Sequence, residues 1–316
     1  MKKWYPCELH CHTLHSDGSF TVNELLSAAK SRKLSGICLT DHNTVSGWEE
    51  TDLQDEIAVL KGIEYTTYHG HMLCLGTDKI IDFTDISNID CTIRSFRDDG
   101  GLIGIAHPFQ LGTPICTGGH WDYKINEWEN VNYVEVFSEG CPYLNTPNKK
   151  ARALWHSLLD KGYRIAPSMG RDWHRTNGDK NLAACTYLFC YEGKLTGDKM
   201  KTAVKEGRTV ITTGPFFSFS TADGFTVGDE ISAGENTLTV TLDTERQREI
   251  VPGQHFLFKE IRLVSNGGET VKTVPATENR LSFNFEKGNW YSLELWGDID
   301  EKSETLLAFT GAFYVS

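Results

Sequence analysis

Short apolar segments alternate with helical segments up to about residue 213. A strand is predicted at residues 7–10, and the next helix begins at a capping box formed by Thr21 and Glu24. This alternation is typical of a βα barrel or a layered α/β domain, whose reactive groups lie at the carboxyl ends of the strands. The further predicted strands are 36–39, 57–60, 102–106, 133–137 and 164–166, and the further predicted helices are 92–97 and 149–159.

The pattern changes after Gly214-Pro215, where apolar and polar residues alternate with a period of two. The turn sequence Asn266-Gly267-Gly268 separates two of the strands predicted there. We therefore predict an α/β domain at residues 1–218, followed by an all-β, sandwich-like C-terminal domain at residues 219–316. The strands predicted in the second domain are 238–242, 261–264, 271–274, 281–285 and an aromatic-rich stretch through Trp290 and Trp296.

Composition narrows the classes of function. The chain has 316 residues with 31 Lys and Arg against 43 Asp and Glu, a net charge of −12, which argues against a nucleic-acid partner. A small anionic substrate stays possible because bound divalent metals invert the local field. With no apolar run of membrane length and no signal-peptide pattern, we expect a cytoplasmic protein without a membrane partner. The nine cysteines form no C-x-x-C pair, so neither a disulfide scaffold nor a zinc knuckle is indicated.

A histidine pair marks the end of the first predicted strand. In His10-Cys11-His12 the two imidazoles are two positions apart, so they share one face of the strand and can point at one ion. Alone, such a pair is a weak signal, because core histidines are often simply hydrogen-bonded.

Histidines and carboxylates recur at later strand ends. Imidazole and carboxylate ligands together suit Zn²⁺, Mn²⁺ or Fe²⁺. Six of the eleven histidines lie at such positions, which scattered core histidines would not produce. Beyond the first pair, the residues are Asp17 in Ser-Asp-Gly, His42 in Thr-Asp-His-Asn, Glu64 in Gly-Ile-Glu, His71 in Gly-His, His107 in Ala-His-Pro, and Asp172 and His174 in Asp-x-His.

The order of these motifs resembles the PHP (polymerase and histidinol phosphatase) family of metal-dependent hydrolases, over about residues 5 to 218. Gly207-Arg208-Thr209, Thr213-Gly214-Pro215 and Tyr68-His69-Gly70-His71 are similar to the branch named for carbaryl hydrolase. The resemblance implies a distorted, TIM-like (β/α)7 barrel with two or three divalent ions, zinc, manganese or iron, at its mouth. It implies one ion held by His10, His12, Glu64 and Asp172, a second that shares Glu64 and adds His71 and His107, and a third held by Asp17, His42 and His174.

Several assignments stay open. His69 competes with His71 as a ligand of the second ion. Arg171 stands where relatives have a small residue, and it is either a clamp for a substrate phosphate or a structural arginine paired with a carboxylate. His15 is a candidate proton donor or third-site ligand, and Asp17 is a candidate proton donor as well as a ligand.

The function implied is a metal-dependent hydrolase, most simply a phosphoesterase that cleaves a small phosphate ester with a metal-bridging hydroxide. The alternative is a hydrolase of a carbamate, ester or amide at the same centre. A third possibility is a non-catalytic protein that binds metal or carbohydrate. The expected partner is an anionic small molecule, and a homo-oligomer is possible.

Overall fold

The first part of the chain alternates strands and helices, as the hydrophobic pattern predicts. A computed structural model describes residues 2–53, 56–77, 88–112, 117–139, 145–175 and 183–316. Each strand and helix predicted before residue 213 is present, with shifted ends except for the strand at 36–39. The strands Gly70–Leu75, Cys185–Tyr191 and Thr209–Thr212 and the helix Gly197–Lys205 were not predicted. The elements are β1 (Lys2–Cys11), α1 (Val22–Ser31), β2 (Gly36–Leu39), β3 (Ala58–Thr67), β4 (Gly70–Leu75), α2 (Ile89–Asp98), β5 (Leu102–Ile105), β6 (Tyr133–Ser138), α3 (Thr146–Asp160), β7 (Ala166–Gly170), β8 (Cys185–Tyr191), α4 (Gly197–Lys205) and β9 (Thr209–Thr212).

The capping box predicted at the start of α1 is confirmed. Thr21 Oγ1 accepts a hydrogen bond from the Glu24 backbone N–H at 3.2 Å, and Glu24 Oε2 accepts one from the Thr21 backbone N–H at 2.8 Å. Two backbone donors that the first helical turn leaves free are thereby satisfied. Its apolar face, which includes Leu25 and Leu26, is buried.

Strands β1 to β7 lie side by side in chain order and curl into a ring. All neighbours are parallel except at β4, which is antiparallel to both β3 and β5. The ring joins where the loop after β7 meets β1. There the Trp173 carbonyl accepts from the His12 N–H, and the Trp173 N–H donates to the His10 carbonyl, both at 3.0 Å. The strand ends that carry the predicted ligands therefore meet at one rim.

The second part of the chain is rich in strands and forms two layers. An antiparallel sheet is formed by the strands Phe216–Ser220, Gly234–Asp243 and Arg280–Phe285. It packs its apolar face on the strands around Phe256–Ser265 and Trp290–Ile299. Every strand predicted there is confirmed, but the all-β expectation is wrong at one short helix. The elements are β10 (Phe216–Ser220), β11 (Glu230–Ile231), β12 (Gly234–Asp243), α5 (Glu245–Ile250), β13 (Phe256–Ser265), β14 (Glu269–Pro275), β15 (Arg280–Phe285), β16 (Trp290–Ile299), β17 (Lys302–Thr310) and β18 (Phe313–Val315).

The two parts share a hydrogen-bonded sheet. β17 pairs antiparallel with β9, with Ala308 opposite Thr212, so the sheet continues from the ring into the second part. The domain boundary near residue 218 stays a prediction. Among the described residues, no helix combines the length and the hydropathy needed to cross a membrane.

A buried histidine lies where α3 contacts the second part. His156 is 4% exposed, and its ring lies 5.0 Å from that of Trp290, measured between centroids. The backbone of Gly268 closes over it, since a Cβ there would lie 2.5 Å from His156 Nδ1. Burial, together with the nearby Arg152 guanidinium, lowers the pKa of His156 to about 3. The side chain is therefore neutral in the folded protein at neutral pH.

The low pKa of His156 predicts a loss of stability in mild acid. The unfolded chain takes up this proton near pH 6.5, whereas the folded chain resists it down to about pH 3, so stability falls as the pH drops through this window. At pH 5 this contribution lowers the free energy of unfolding by about 2 kcal/mol relative to neutral pH. In urea titrations, His156→Phe should reduce the difference in the free energy of unfolding between pH 7 and pH 5 by this amount. The same change at exposed His255 should not, and equal pH dependence in both variants would refute the assignment.

Candidate metal centre

The structure brings the nine predicted ligand residues together at the rim of the ring. They form three overlapping groups, and within each group the candidate ligand atoms lie within 4.8 Å of one another. Group A is His10, His12, Glu64 and Asp172; group B is Glu64, His71 and His107; group C is His12, Asp17, His42 and His174.

Group A lies where β1 meets the loop after β7. His10 Nε2 and His12 Nε2 lie 3.0–3.3 Å from Glu64 Oε2 and Asp172 Oδ1. All four of these atoms are buried, and none makes a well-aligned hydrogen bond despite these short contacts. Buried polar atoms are normally satisfied, so four orphaned donors and acceptors that converge on one point suit a cation.

Group B is held by the backbone of an adjacent loop. His71 Nδ1 and His107 Nε2 lie 3.0 and 3.2 Å from Glu64 Oε1. Their other ring nitrogens donate to the carbonyls of Thr117, at 3.0 Å, and Gly119, at 3.2 Å. Because a carbonyl only accepts, each contact leaves the nitrogen that faces Glu64 free to bind a metal.

Between those two carbonyls the chain requires a glycine. Gly118 has a φ of +77°, and a Cβ there would lie 2.0 Å from the Thr67 carbonyl oxygen. Any larger residue would push this loop away from the two imidazoles.

Group C is the most exposed of the three. Asp17 Oδ1 lies 3.0 Å from His174 Nε2 and 3.3 Å from His42 Nε2. Burial by itself raises the pKa of Asp17, but the hydrogen bonds from His174 and His42 hold it well below its usual range. Asp17 is therefore a carboxylate at neutral pH, which favours its role as a ligand over its role as a proton donor.

The field of the carboxylates dominates the centre. Burial alone lowers the pKa of His42, but Asp17 and Glu64 raise it, to about 10. For His107 burial again lowers the pKa, while Glu64 raises it to about 9. In the metal-free protein these imidazoles carry protons at neutral pH, which a bound metal would displace.

Backbone conformation is unusual at the same strand ends. Asn43, His107 and Asp172 have positive φ values of 50°, 26° and 54°, although none is glycine. Such residues persist only where the surroundings fix them, and they cluster at functional sites. The strain falls at or beside three candidate ligands.

Of the two roles that the sequence leaves open for Arg171, the structure supports that of a structural arginine paired with a carboxylate. Its side chain is 1% exposed, and its Nε lies 3.2 Å from buried Glu8 Oε2. Its Nη2 donates to the Ala184 carbonyl at 2.7 Å, and its backbone N–H donates to Glu8 Oε1. This pairing corrects the phosphate-clamp alternative, because the guanidinium is engaged inside the ring rather than presented at its rim.

Two other candidates lie outside the three groups. The ring nitrogens of His15 lie 2.8 Å from Ser46 Oγ and from Glu50 Oε1, so His15 is not placed as a third-site ligand. His69 is exposed and lies beside Tyr123, so of the two competing histidines it is His71 that faces Glu64.

Sequence reasoning missed residues that support the ligands from behind. Glu135 Oε1 lies 3.0 Å from His10 Nδ1, and Glu135 Oε2 accepts from the His107 backbone N–H at 2.9 Å. Asp41 accepts from the Thr13 N–H and the Ser16 hydroxyl, both at 2.7 Å, and so holds the loop that carries Asp17. Glu135 is a lone carboxylate in a buried strand, and no sequence motif marks it. Asp41 could have been found, because it directly precedes His42 in the motif Thr-Asp-His-Asn.

Comparisons with known proteins show what the chain is similar to. The sequence profile described as the PHP domain matches residues 8–82. An uncharacterized protein of Methanocaldococcus jannaschii is 32% identical over 123 residues, which span 34% of this chain and 69% of that protein. A 5'-3' exoribonuclease of Haemophilus influenzae is 32% identical over 79 residues, 23% of this chain, and the match spans only 29% of that enzyme.

A solved structure shares the fold across both parts of the chain. It is a two-domain protein of Bacteroides vulgatus, described as containing a predicted PHP-like metal-dependent phosphoesterase. The TM-score is 0.53 at 16% identity, and the match covers 98% of this chain and 95% of that one. Taken together, the profile match, the archaeal relative and the shared fold show that the chain belongs to the PHP family.

Proposed function

We propose that this protein is a metal-dependent hydrolase that cleaves a small phosphate ester at the rim of the ring. The observation that carries the proposal is the convergence of orphaned, buried imidazole and carboxylate atoms in group A, with groups B and C sharing members with it. A carbamate, ester or amide hydrolase at the same centre is the alternative to be tested. A protein that only binds metal or carbohydrate would not need three adjoining ligand groups.

Each group would hold one divalent ion, and Glu64 would bridge the ions of groups A and B. Ions at such sites lower the pKa of water and neutralise negative charge that develops on the substrate. Glu64 offers one oxygen to each group, since Oε2 faces group A and Oε1 faces group B. Asp17, as a carboxylate, would be a ligand of the ion in group C. The donor set suits zinc, manganese and iron alike.

The charge balance favours an anionic substrate. The three groups contain three carboxylates, those of Asp17, Glu64 and Asp172. Three divalent ions would exceed this negative charge even with the neighbouring Glu135 carboxylate included, and would leave the rim positive although the chain as a whole is acidic. Because Arg171 is engaged with Glu8, the positive charge offered to a phosphate at these groups would come from the ions.

The relatives favour phosphate chemistry over carbamate chemistry. One is named as an exoribonuclease, and the structural neighbour is described as a metal-dependent phosphoesterase. The expectation of a small substrate rather than a nucleic acid rests on the net charge of −12. We also propose that the curled strands form the distorted (β/α)7 barrel, and that the two layers of the second part form the sandwich-like domain.

The ligand assignment predicts that Asp172→Asn loses metal. Asparagine tolerates the positive φ of this position, so the backbone should be preserved, while the charge that faces His10 and His12 is removed. We expect about one ion per chain fewer by elemental analysis, and turnover reduced by more than about 100-fold. Asp122→Asn, on an exposed carboxylate outside the three groups, is the control. Full metal content in Asp172→Asn would show that group A is not a metal site.

The choice of substrate is tested with one leaving group. The metal-loaded protein is offered p-nitrophenyl phosphate, bis(p-nitrophenyl) phosphate and the N-methylcarbamate of the same phenol, with a short single-stranded RNA in parallel. We expect the highest kcat/KM on the phosphate monoester, since the positive rim favours a dianion. A higher kcat/KM on the carbamate, lost in Asp172→Asn, would replace phosphate esters with carbamates as the substrate class. Faster cleavage of RNA would contradict the small-substrate proposal.

A further inference from the structure

The candidate histidine ligands differ in the hydrogen-bond partner of one ring nitrogen. His71, His107 and His174 each direct a ring nitrogen at a backbone carbonyl, those of Thr117, Gly119 and Asp172. His10 instead directs Nδ1 at a carboxylate, Glu135, which is 1% exposed. Glu135 lies on β6, a strand that ends without any of the nine predicted ligands.

We propose that Glu135 is a positioning residue that sets His10 and His107 together, and so holds the sites of groups A and B in register. The proposal rests on the metal centre proposed above. A carboxylate only accepts hydrogen bonds, so Nδ1 of His10 must be the donor at 3.0 Å. His10 Nε2 is then left to face Glu64 Oε2 and Asp172 Oδ1.

The second oxygen of Glu135 acts on the neighbouring site. Glu135 Oε2 accepts from the His107 backbone N–H at 2.9 Å, at the residue whose φ of +26° needs outside support. One side chain thus connects a ligand of group A to a ligand of group B from behind.

The Glu135 carboxylate is tightly packed inside the ring. A Cβ at Gly170, on the adjacent strand β7, would lie 1.9 Å from Glu135 Oε1 and 2.7 Å from His10 Cβ. Gly170 has no positive φ, so a glycine is required there by the close approach of Glu135 and His10 rather than by backbone conformation. The fit holds the carboxylate against the imidazole.

Glu135→Gln separates this role from simple packing because it keeps the volume of the side chain. The amide has one acceptor and one donor group, whereas both its neighbours, His10 Nδ1–H and the His107 N–H, require an acceptor. If the amide oxygen serves His107, its NH2 meets His10 Nδ1 and forces the proton onto Nε2, the nitrogen that would bind metal. If the oxygen serves His10, the NH2 opposes the His107 N–H.

The test measures metal affinity directly. Metal-stripped wild type and Glu135→Gln are titrated with Zn²⁺ in competition with a chromogenic chelator, and the fold of each metal-free form is checked by circular dichroism and thermal melting. We expect at least one equivalent to bind about 10–100-fold more weakly in the variant. Asp90→Asn is the matched control, since Asp90 is a buried carboxylate that accepts backbone N–H groups of Asn126 and Glu127. Its zinc affinity should stay within about twofold of wild type.

The outcomes separate this inference from the proposed function. Zinc affinity within about twofold of wild type in a folded Glu135→Gln would overturn the positioning role, while wild type that binds no metal would overturn the centre itself. A second measurement does not depend on that variant. Zinc-loaded wild type labelled with ¹⁵N-histidine should show His10 protonated at Nδ1 and coordinated through Nε2, with the signal assigned by comparison with His10→Gln. Coordination through Nδ1 would refute the inference.

Discussion

The carboxylate of Glu64 is the group on which the arrangement of the rim depends. It is fully buried on β3, and burial of an isolated charge would be prohibitive. Burial by itself raises the pKa of Glu64, but the surrounding histidines hold it well below its usual range. Removing Glu64 would take the facing carboxylate away from His71 and His107, whereas His10 and His12 would keep Asp172 and His42 would keep Asp17. Its contacts are the imidazoles of His10, His12, His42, His71 and His107.

Backbone geometry provides much of the precision around that carboxylate. Two of the imidazoles are oriented by carbonyls of a loop that only a glycine at position 118 can form, and a third is oriented by a carboxylate that only a glycine at position 170 can accommodate. Two candidate ligands, His107 and Asp172, follow the ends of β5 and β7 with positive φ values, and Glu135 supports the first of them through its backbone N–H. The rim therefore uses only imidazoles and carboxylates, and contacts with the surrounding backbone fix their orientation, as expected of a preorganised site.

The sequence points to the candidate ligands more clearly than to the residues that support them. Histidines and carboxylates at successive strand ends can be recognised because the strand pattern and the motifs reinforce each other. Glu135 could not be found in this way, since a single acidic residue in a buried apolar strand is equally compatible with a structural pair. Arg171 stayed ambiguous for the same reason: its partner, Glu8, is distant in sequence and becomes apparent only when β1 and β7 meet. β17 was missed because its apolar run is buried on both faces and lacks alternation.

The second part of the chain is linked by hydrogen bonds to the join of the ring. Group A spans the join between β1 and the loop after β7, where the backbone pairing through Trp173 is short. Strand β8 covers this join, because it pairs with β1 over Lys2 to Cys7 and its Thr186 hydroxyl accepts from the Met169 N–H of β7. β8 is in turn paired with β9, and β9 with β17 of the second part. Hydrogen bonds therefore run from the C-terminal layers to the strand that carries His10, which gives those layers a structural role in holding the proposed metal ligands together.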